Sequence, residues 1–200
     1  MAVEQARIAP FINVEFVVTS AQPYRNDGVT LHGGLDISTG NNDPLYSMVT
    51  GTVLYSGYNT GGYGNMIIMR DDTTGDAFLY AHMRDASLKR VGDSVTVGEF
   101  VGYEGTTGTS TGIHLHVEWQ NIGPTGSWNW NVPILDRPHV ADFMGISNVY
   151  GTIAIYNGTP GPTPTPTSKT KFPWYIYARN FRSSQIHQKR RHWLYYINML

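Results

Sequence analysis

An all-β fold built on an antiparallel sheet is the architecture expected here, on three observations. Short runs rich in β-branched and aromatic residues recur at close intervals, with Gly, Pro, Asn and Asp between them. No stretch before residue 135 sustains a helical period. The composition is rich in turn formers and poor in charge, with 22 Gly among 200 residues and 14% charged side chains. That is the balance of a sheet protein with many reversals.

Taken in order, Phe11 to Thr19 reads as a first strand, and Ser20 to Thr30 as a loop with Pro23, Asn26, Asp27 and Gly28 as turn residues. Further strands are expected at Gly51–Tyr55, Asn65–Arg70, Asp76–His82, Ser94–Val97, Phe100–Glu104 and Ile113–Gln120. The run Val91-Gly-Asp-Ser-Val95 to Gly102 resembles the hairpins of biotinyl and lipoyl carrier domains. Those domains present a Lys in a tight turn, whereas Lys89 precedes this one, so the segment is read as a structural hairpin. Trp119, Trp128 and Trp130 cluster around a Gly- and Asn-rich stretch, Asn121 to Asn131. They either stack on substrate along a groove rim or cover the sheet edge. Asp136 to Gly145 reads as a short closing helix with Pro138 near its start, and His139 as a surface or structural residue.

The chemistry-bearing residues fall in three places. His114-Leu-His116 opens the last expected strand. Side chains alternate faces along a strand, so both imidazoles point one way. Chance supplies such a pair in roughly one chain of this kind in four or five, so alone it is weak. Leu31-His32-Gly-Gly-Leu-Asp36 adds a His and an Asp around a Gly pair that lets the backbone turn tightly. Two His and one Asp, with a fourth position for water, is the pattern of a catalytic zinc. The chain has no Cys, which removes the commonest closed structural zinc site and leaves the redox compartment undecided. His82 ends a third strand-like run, available for general acid or base work. Each motif alone is more often structural, but their joint presence in this order reverses that weighting.

These residues carry a resemblance. From about Phe16 to Trp119 the chain resembles the M23 family of zinc metallopeptidases, the lysostaphin- or LytM-type peptidoglycan endopeptidases. The match runs through His32-Gly-Gly-Leu-Asp36, Gly51-Thr52-Val53, Gly62-Tyr63-Gly64-Asn65, Tyr80-Ala81-His82-Met83 and Gly112-Ile113-His114-Leu115-His116. The resemblance implies Zn²⁺ on His32, Asp36 and His116, with His82 and His114 as the catalytic histidines. Spacing does not tell which of His114 and His116 holds the metal; the resemblance assigns it to His116. It implies cleavage of peptide bonds in the cross-links or stem peptides of bacterial peptidoglycan, at an extracellular or cell-wall location. All five positions are intact, which argues against a wall-binding or tail-assembly module that holds zinc and cleaves nothing. Arg25 lies where the family carries an Arg before the first zinc motif, and is read as a structural ion pair rather than a substrate contact.

Three segments are expected: a peptidase domain over 1–156, a Pro/Thr linker over 157–168 and a basic aromatic tail over 169–200. The tail holds seven Lys/Arg and no Asp or Glu, while the rest holds seven basic and fifteen acidic residues. Thirty-two residues are too few for an independent core. The tail reads as a tether to an anionic partner (wall polymer, membrane surface or another subunit) or as a solvated extension. No motif supports specific nucleic acid binding. The first ten residues lack the pattern of a signal peptide, and no apolar run is long enough to span a bilayer. The expectation is therefore delivery by another system, as in a bacteriophage tail or lysis protein, or a place within a longer chain.

Overall fold

The computed structural model describes residues 2–161. The tail 169–200 and residues 162–168 of the linker lie outside the described residues.

Eleven strands and two short helical turns follow one another: β1 (Val3–Gln5), β2 (Glu15–Ser20), β3 (Leu35–Ser38), β4 (Pro44–Tyr46), β5 (Gly51–Asn59), β6 (Gly64–Asp71), β7 (Asp76–Met83), β8 (Ser94–Val95), β9 (Phe100–Tyr103), β10 (Leu115–Asn121), a 3₁₀ turn (Ile134–Asp136), α1 (Val140–Met144) and β11 (Ile153–Ile155). Nine strands form one sheet in the order β1-β11-β2-β3-β10-β7-β6-β5-β8, and β4 pairs β9 separately. The sheet is antiparallel as expected, except that β1 runs parallel to β11 at one edge. The chain's first strand thus pairs with its last.

The sheet buries both faces. On one, Phe16, Val18, Leu35, Ile37, Phe78, Tyr80, Leu115 and Val117 meet Phe11, Leu45, Met48 and the α1 residues Val140, Ala141 and Met144. On the other, Met66, Ile68, Leu79 and Ala81 lie under Leu54, Tyr55, Tyr63 and Trp128. Two-sided burial explains why β6 and β7 read as continuous apolar runs rather than alternating ones. At about 1.5–3 kcal/mol per large apolar side chain, this burial is the main force fixing the register of β3, β10 and β7.

Several sequence expectations are corrected. Phe11 to Val14 is not strand. Asn13 sits at φ 58°, and its backbone N–H donates to the Tyr156 carbonyl at 2.8 Å, so β2 begins only at Glu15. Val91 to Gly102 turns without forming a hairpin, because β8 pairs β5 while β9 pairs β4. Lys89, which precedes that turn, ion-pairs Glu99. The closing helix starts at Val140 instead of Asp136, since Arg137 and His139 are extended on either side of Pro138. It ends at Gly145, whose φ of 73° makes the left-handed cap that favours glycine. Asn157 to Gly161, the start of the linker, holds to the body. The Gly161 N–H donates to the Gly98 carbonyl at 2.6 Å, and Asn157 Nδ2 to Gln5 Oε1 at 3.1 Å.

Candidate metal centre

Antiparallel pairing sets the first two residues of the site side by side. His116 on β10 is the register partner of Asp36 on β3, so their side chains share one face of the sheet. His116 Nδ1 lies 2.7 Å from Asp36 Oδ1. The chain enters β3 through Gly33-Gly34, which folds His32 back over the same point. A Cβ on Gly34 would lie 2.2 Å from the Val117 carbonyl oxygen and 2.9 Å from the His116 ring, so only glycine permits this approach. His32 Nε2 is then 3.1 Å from Asp36 Oδ1 and 3.2 Å from His116 Nδ1. All three residues are buried, and among the described residues they form the one cluster able to hold a metal ion.

The donor and acceptor inventory of these atoms calls for a cation. His32 Nδ1–H donates to the Ala21 carbonyl at 2.7 Å, leaving a lone pair on Nε2. His116 Nε2–H donates to Glu118 Oε1 at 3.2 Å, leaving a lone pair on Nδ1. Those lone pairs and Asp36 Oδ1 are three acceptors facing one another. The separations fit one face of a tetrahedron around zinc, whose edge is about 3.3 Å for ligand bonds near 2.0 Å. Outward N–H groups tied to a carbonyl and a carboxylate are the usual support of ligating histidines. Burial pushes the Asp36 carboxyl up, but bonds from His116 and His32, which donate to it once the cluster takes up a proton, outweigh this and hold the group well below the carboxylate range. Burial pushes His116 down, and its bonds to Asp36 and Glu118 more than reverse this, to about 9. A proton on His116 is the cluster's substitute cation, with which a metal competes.

Glu118 was not singled out in the sequence, although it continues the alternation of His114 and His116 along the strand. It is 2% exposed and accepts from the Tyr63 hydroxyl at 2.7 Å and from Arg137 Nη1 at 2.5 Å. Burial pushes its carboxyl up, but bonds from His116 and Tyr63 and the Arg137 charge keep it ionised. Arg137 also donates to the Gly33 carbonyl at 3.4 Å. One buried network therefore ties His116, the Gly-Gly turn and the segment before α1. Tyr63 lies in a stretch that the family resemblance includes but to which it gives no role, and Arg137 carries no signal in the sequence, because only the fold brings them here.

His82 and His114 stand beside the cluster, with ring centroids 4.7 Å apart. His114 Nδ1–H donates to the Gly112 carbonyl at 2.9 Å, and its Nε2 lies 3.8 Å from Asp36 Oδ1. His82 Nδ1–H donates to the Thr107 carbonyl at 2.9 Å. Both rings thus turn Nε2 away from those carbonyls. Alternation along β7 would send His82 to the Tyr80 face, away from the site. Its backbone adopts φ 59° instead, a left-handed conformation costly for a side chain of this size and typical of functional positions. Burial holds His82 neutral, pushed down to about 4.

The remaining expectations divide. Arg25 does form an ion pair, and with a site residue, Asp36 Oδ2 at 3.3 Å. Trp119 stacks on Phe78 and meets Phe143 edge-on on the far face of the sheet, so it is no groove aromatic. Trp128 covers the near face. Trp130 is half-exposed and packs on Tyr63 at 6.0 Å, beside the metal centre. His139 precedes α1 and lies 3.5 Å from the Asn148 amide.

Comparison with known proteins gives a consistent result. The model of Peptidase family M23 matches residues 30–127. The chain is 36% identical over 88 residues to the DD-carboxypeptidase/endopeptidase Mpg of Neisseria meningitidis, covering 44% of this chain and 20% of that protein. It is 36% identical over 84 residues to lipoprotein NlpD of Yersinia enterocolitica, covering 42% of this chain and 82% of that protein. The catalytic domain of the prophage-encoded M23 protein EnpA from Enterococcus faecalis is similar in structure, with a TM-score of 0.51 at 29% identity over 60% of this chain and 92% of that one. The chain spans about a fifth of the length of the Neisseria relative.

Proposed function

The chain belongs to peptidase family M23, and from that premise we propose that residues 1–156 form a zinc-dependent endopeptidase that cleaves peptide bonds of bacterial peptidoglycan at the cell wall. The observation that carries this reading is the convergence of three facing acceptors, from His32, Asp36 and His116, beside two histidines with outward-anchored Nδ1 atoms.

His32, Asp36 and His116 would hold the zinc. The bound metal supplies Lewis acidity, polarising the scissile carbonyl and making water nucleophilic at neutral pH. The protein's part is proton handling. With Nδ1–H tied to Gly112, His114 offers Nε2 as the base that takes a proton from the attacking water. His82 also offers Nε2 as an acceptor, and it donates only after receiving a proton. It then steadies the developing oxyanion or delivers the proton to the leaving amine. The rings are close enough to face one reacting centre, and the Tyr63–Glu118–Arg137 network keeps His116 oriented throughout.

The basic tail is proposed as the wall tether, on the strength of its charge contrast with the rest of the chain. Among the described residues no helix is long and apolar enough to cross a membrane.

The deciding experiment is a digest of purified, cross-linked peptidoglycan of several chemotypes, with and without chelator, read by mass spectrometry. New peptide termini that vanish with chelator and return with zinc establish the peptidase, and their masses name the bond. A folded, zinc-loaded sample that releases none on any wall moves the reading to a module that holds zinc and binds without cleaving.

A further inference from the structure

His82 stands at an irregularity in the sheet. β6 and β7 pair at Asn65–Met83 and again at Ile67–Tyr80, so two residues of β7, Ala81 and His82, oppose Met66 alone. An extra residue of this kind re-aims a side chain and leaves the ladder locally open. One side chain from another segment fills the opening. The Thr107 hydroxyl accepts from the Asn65 N–H at 2.9 Å and donates to the Met83 carbonyl at 2.7 Å, bridging two residues that face each other across the ladder. The carbonyl of the same Thr107 accepts from His82 Nδ1–H at 2.9 Å. Its N–H reaches the His82 carbonyl only at 3.4 Å, so the hydroxyl is its firmer tie to the strands. The fit is close. A Cβ on Gly64 would lie 2.5 Å from both the carbonyl carbon and the hydroxyl oxygen of Thr107. A left-handed residue that carries a side chain persists only where its surroundings hold it, and at His82 Thr107 holds both the bulge and the ring.

We propose that Thr107 is a positioning residue for the peptidase reaction: its hydroxyl locks the bulge, and its carbonyl thereby fixes the His82 ring with the proton on Nδ1 and the lone pair on Nε2. The inference rests on the peptidase reading above, in which His82 works through Nε2. In a neutral imidazole the hydrogen bond made by one nitrogen decides which of the two carries the proton. Without its anchor the ring turns, and a proton placed on Nε2 leaves that atom unable to accept another. The hydrogen bonds of Thr107 among the described residues run to Asn65, His82 and Met83, and to none of the three proposed metal ligands. The next turn of the loop keeps its own tie, from the Thr109 N–H to the Gly62 carbonyl at 2.7 Å. Loss of the hydroxyl is therefore expected to spare both zinc binding and the fold.

The test uses the full, zinc-loaded chain. Thr107→Val keeps the volume and removes the hydroxyl, while Thr107→Ser keeps the hydroxyl. On a soluble cross-linked stem peptide, Thr107→Val should lose about tenfold or more in kcat, with KM within about twofold and zinc content unchanged, and Thr107→Ser should recover most of the loss. In a His82→Ala background Thr107→Val should lower kcat by less than about twofold, because the two residues act as one unit. A second readout needs no turnover. Proton–nitrogen correlation NMR of the imidazoles, with His82 assigned by its disappearance in His82→Ala, should show a protonated Nδ1 in wild type and in Thr107→Ser, and a protonated Nε2 in Thr107→Val. A folded, zinc-replete Thr107→Val with unchanged kcat overturns the proposal, as does an equal loss in the His82→Ala background or a wild-type His82 protonated on Nε2. The wild-type spectrum decides even where Thr107→Val does not fold, and Thr107→Ala then replaces it in the comparison. Failure of the wall digest counts against the peptidase reading itself and leaves the tautomer comparison to decide the role of Thr107.

Discussion

Asp36 and His82 sit in one site but are proposed to do separable work, and substitutions at them are expected to dissociate. Asp36→Ala removes a ligand whose oxygen lies within 3.1 Å of both histidine nitrogens, so zinc and activity are lost together. His82→Ala leaves all three ligands in place. It should retain stoichiometric zinc by mass spectrometry under native conditions, while kcat falls by about 10²–10⁴. Full turnover in His82→Ala would remove that residue from the mechanism. Glu118→Gln probes the layer behind the metal. It keeps the shape but takes the charge from His116 Nε2–H and from Arg137, whose side chain is 9% exposed. Zinc affinity, measured by competition with a chromophoric chelator, should weaken about 10–100-fold. An unchanged affinity would make Glu118 a folding residue only, and the melting temperature of the chelated variant reports that contribution separately. Much of this was legible as residues in a row: His32 and Asp36 around a Gly pair, His114 and His116 on one strand face. The choice between the last two was not. Register is what favours His116 for the proposed metal, because only His116 lies opposite Asp36.

The site depends on how closely β3 and β10 approach, and Gly34 governs that approach. A methyl group there meets the Val117 carbonyl at 2.2 Å, a backbone atom that cannot step aside without breaking the pairing that aligns Asp36 with His116. Gly34→Ala should therefore destabilise the fold by more than about 2 kcal/mol in urea unfolding and lower zinc affinity at the same time. A stable, zinc-replete Gly34→Ala protein would show that the Gly-Gly turn is not what seats His32. The central strands were readable because burial on both faces leaves long apolar runs, as in Met66 to Met69 and Ala77 to Ala81. Three of the shortest strands were not. β1, β4 and β11 are three residues each, and their pairing is imposed by partners distant in sequence. The reversal at His82 was hidden for a related reason. Its positive φ is held by long-range bonds, from its N–H to the Tyr63 carbonyl at 2.8 Å and from its ring to Thr107, so no local pattern announces it.

Charge is divided sharply along the chain, and this division sets the last prediction. Residues 169–200 carry seven positive side chains and no negative one, while the rest of the chain holds seven basic against fifteen acidic residues. A catalytic body of net negative charge is repelled by anionic wall polymers, so attraction to them must come from the basic segment. Such attraction acts over about 10 Å at 0.1 M salt and collapses to about 3 Å at 1 M. A chain ending before residue 169 should hydrolyse a short soluble peptide at the full-length rate, since every side chain of the proposed site lies between residues 25 and 137. On wall preparations rich in anionic polymer it should be retained several-fold less at about 20–50 mM salt, with the difference vanishing near about 0.5–1 M. Equal retention at low salt would remove the tether. A difference that persists at high salt would transfer the role from the lysines and arginines to the aromatic residues interleaved with them, such as Trp174 and Trp193, whose contacts salt does not screen.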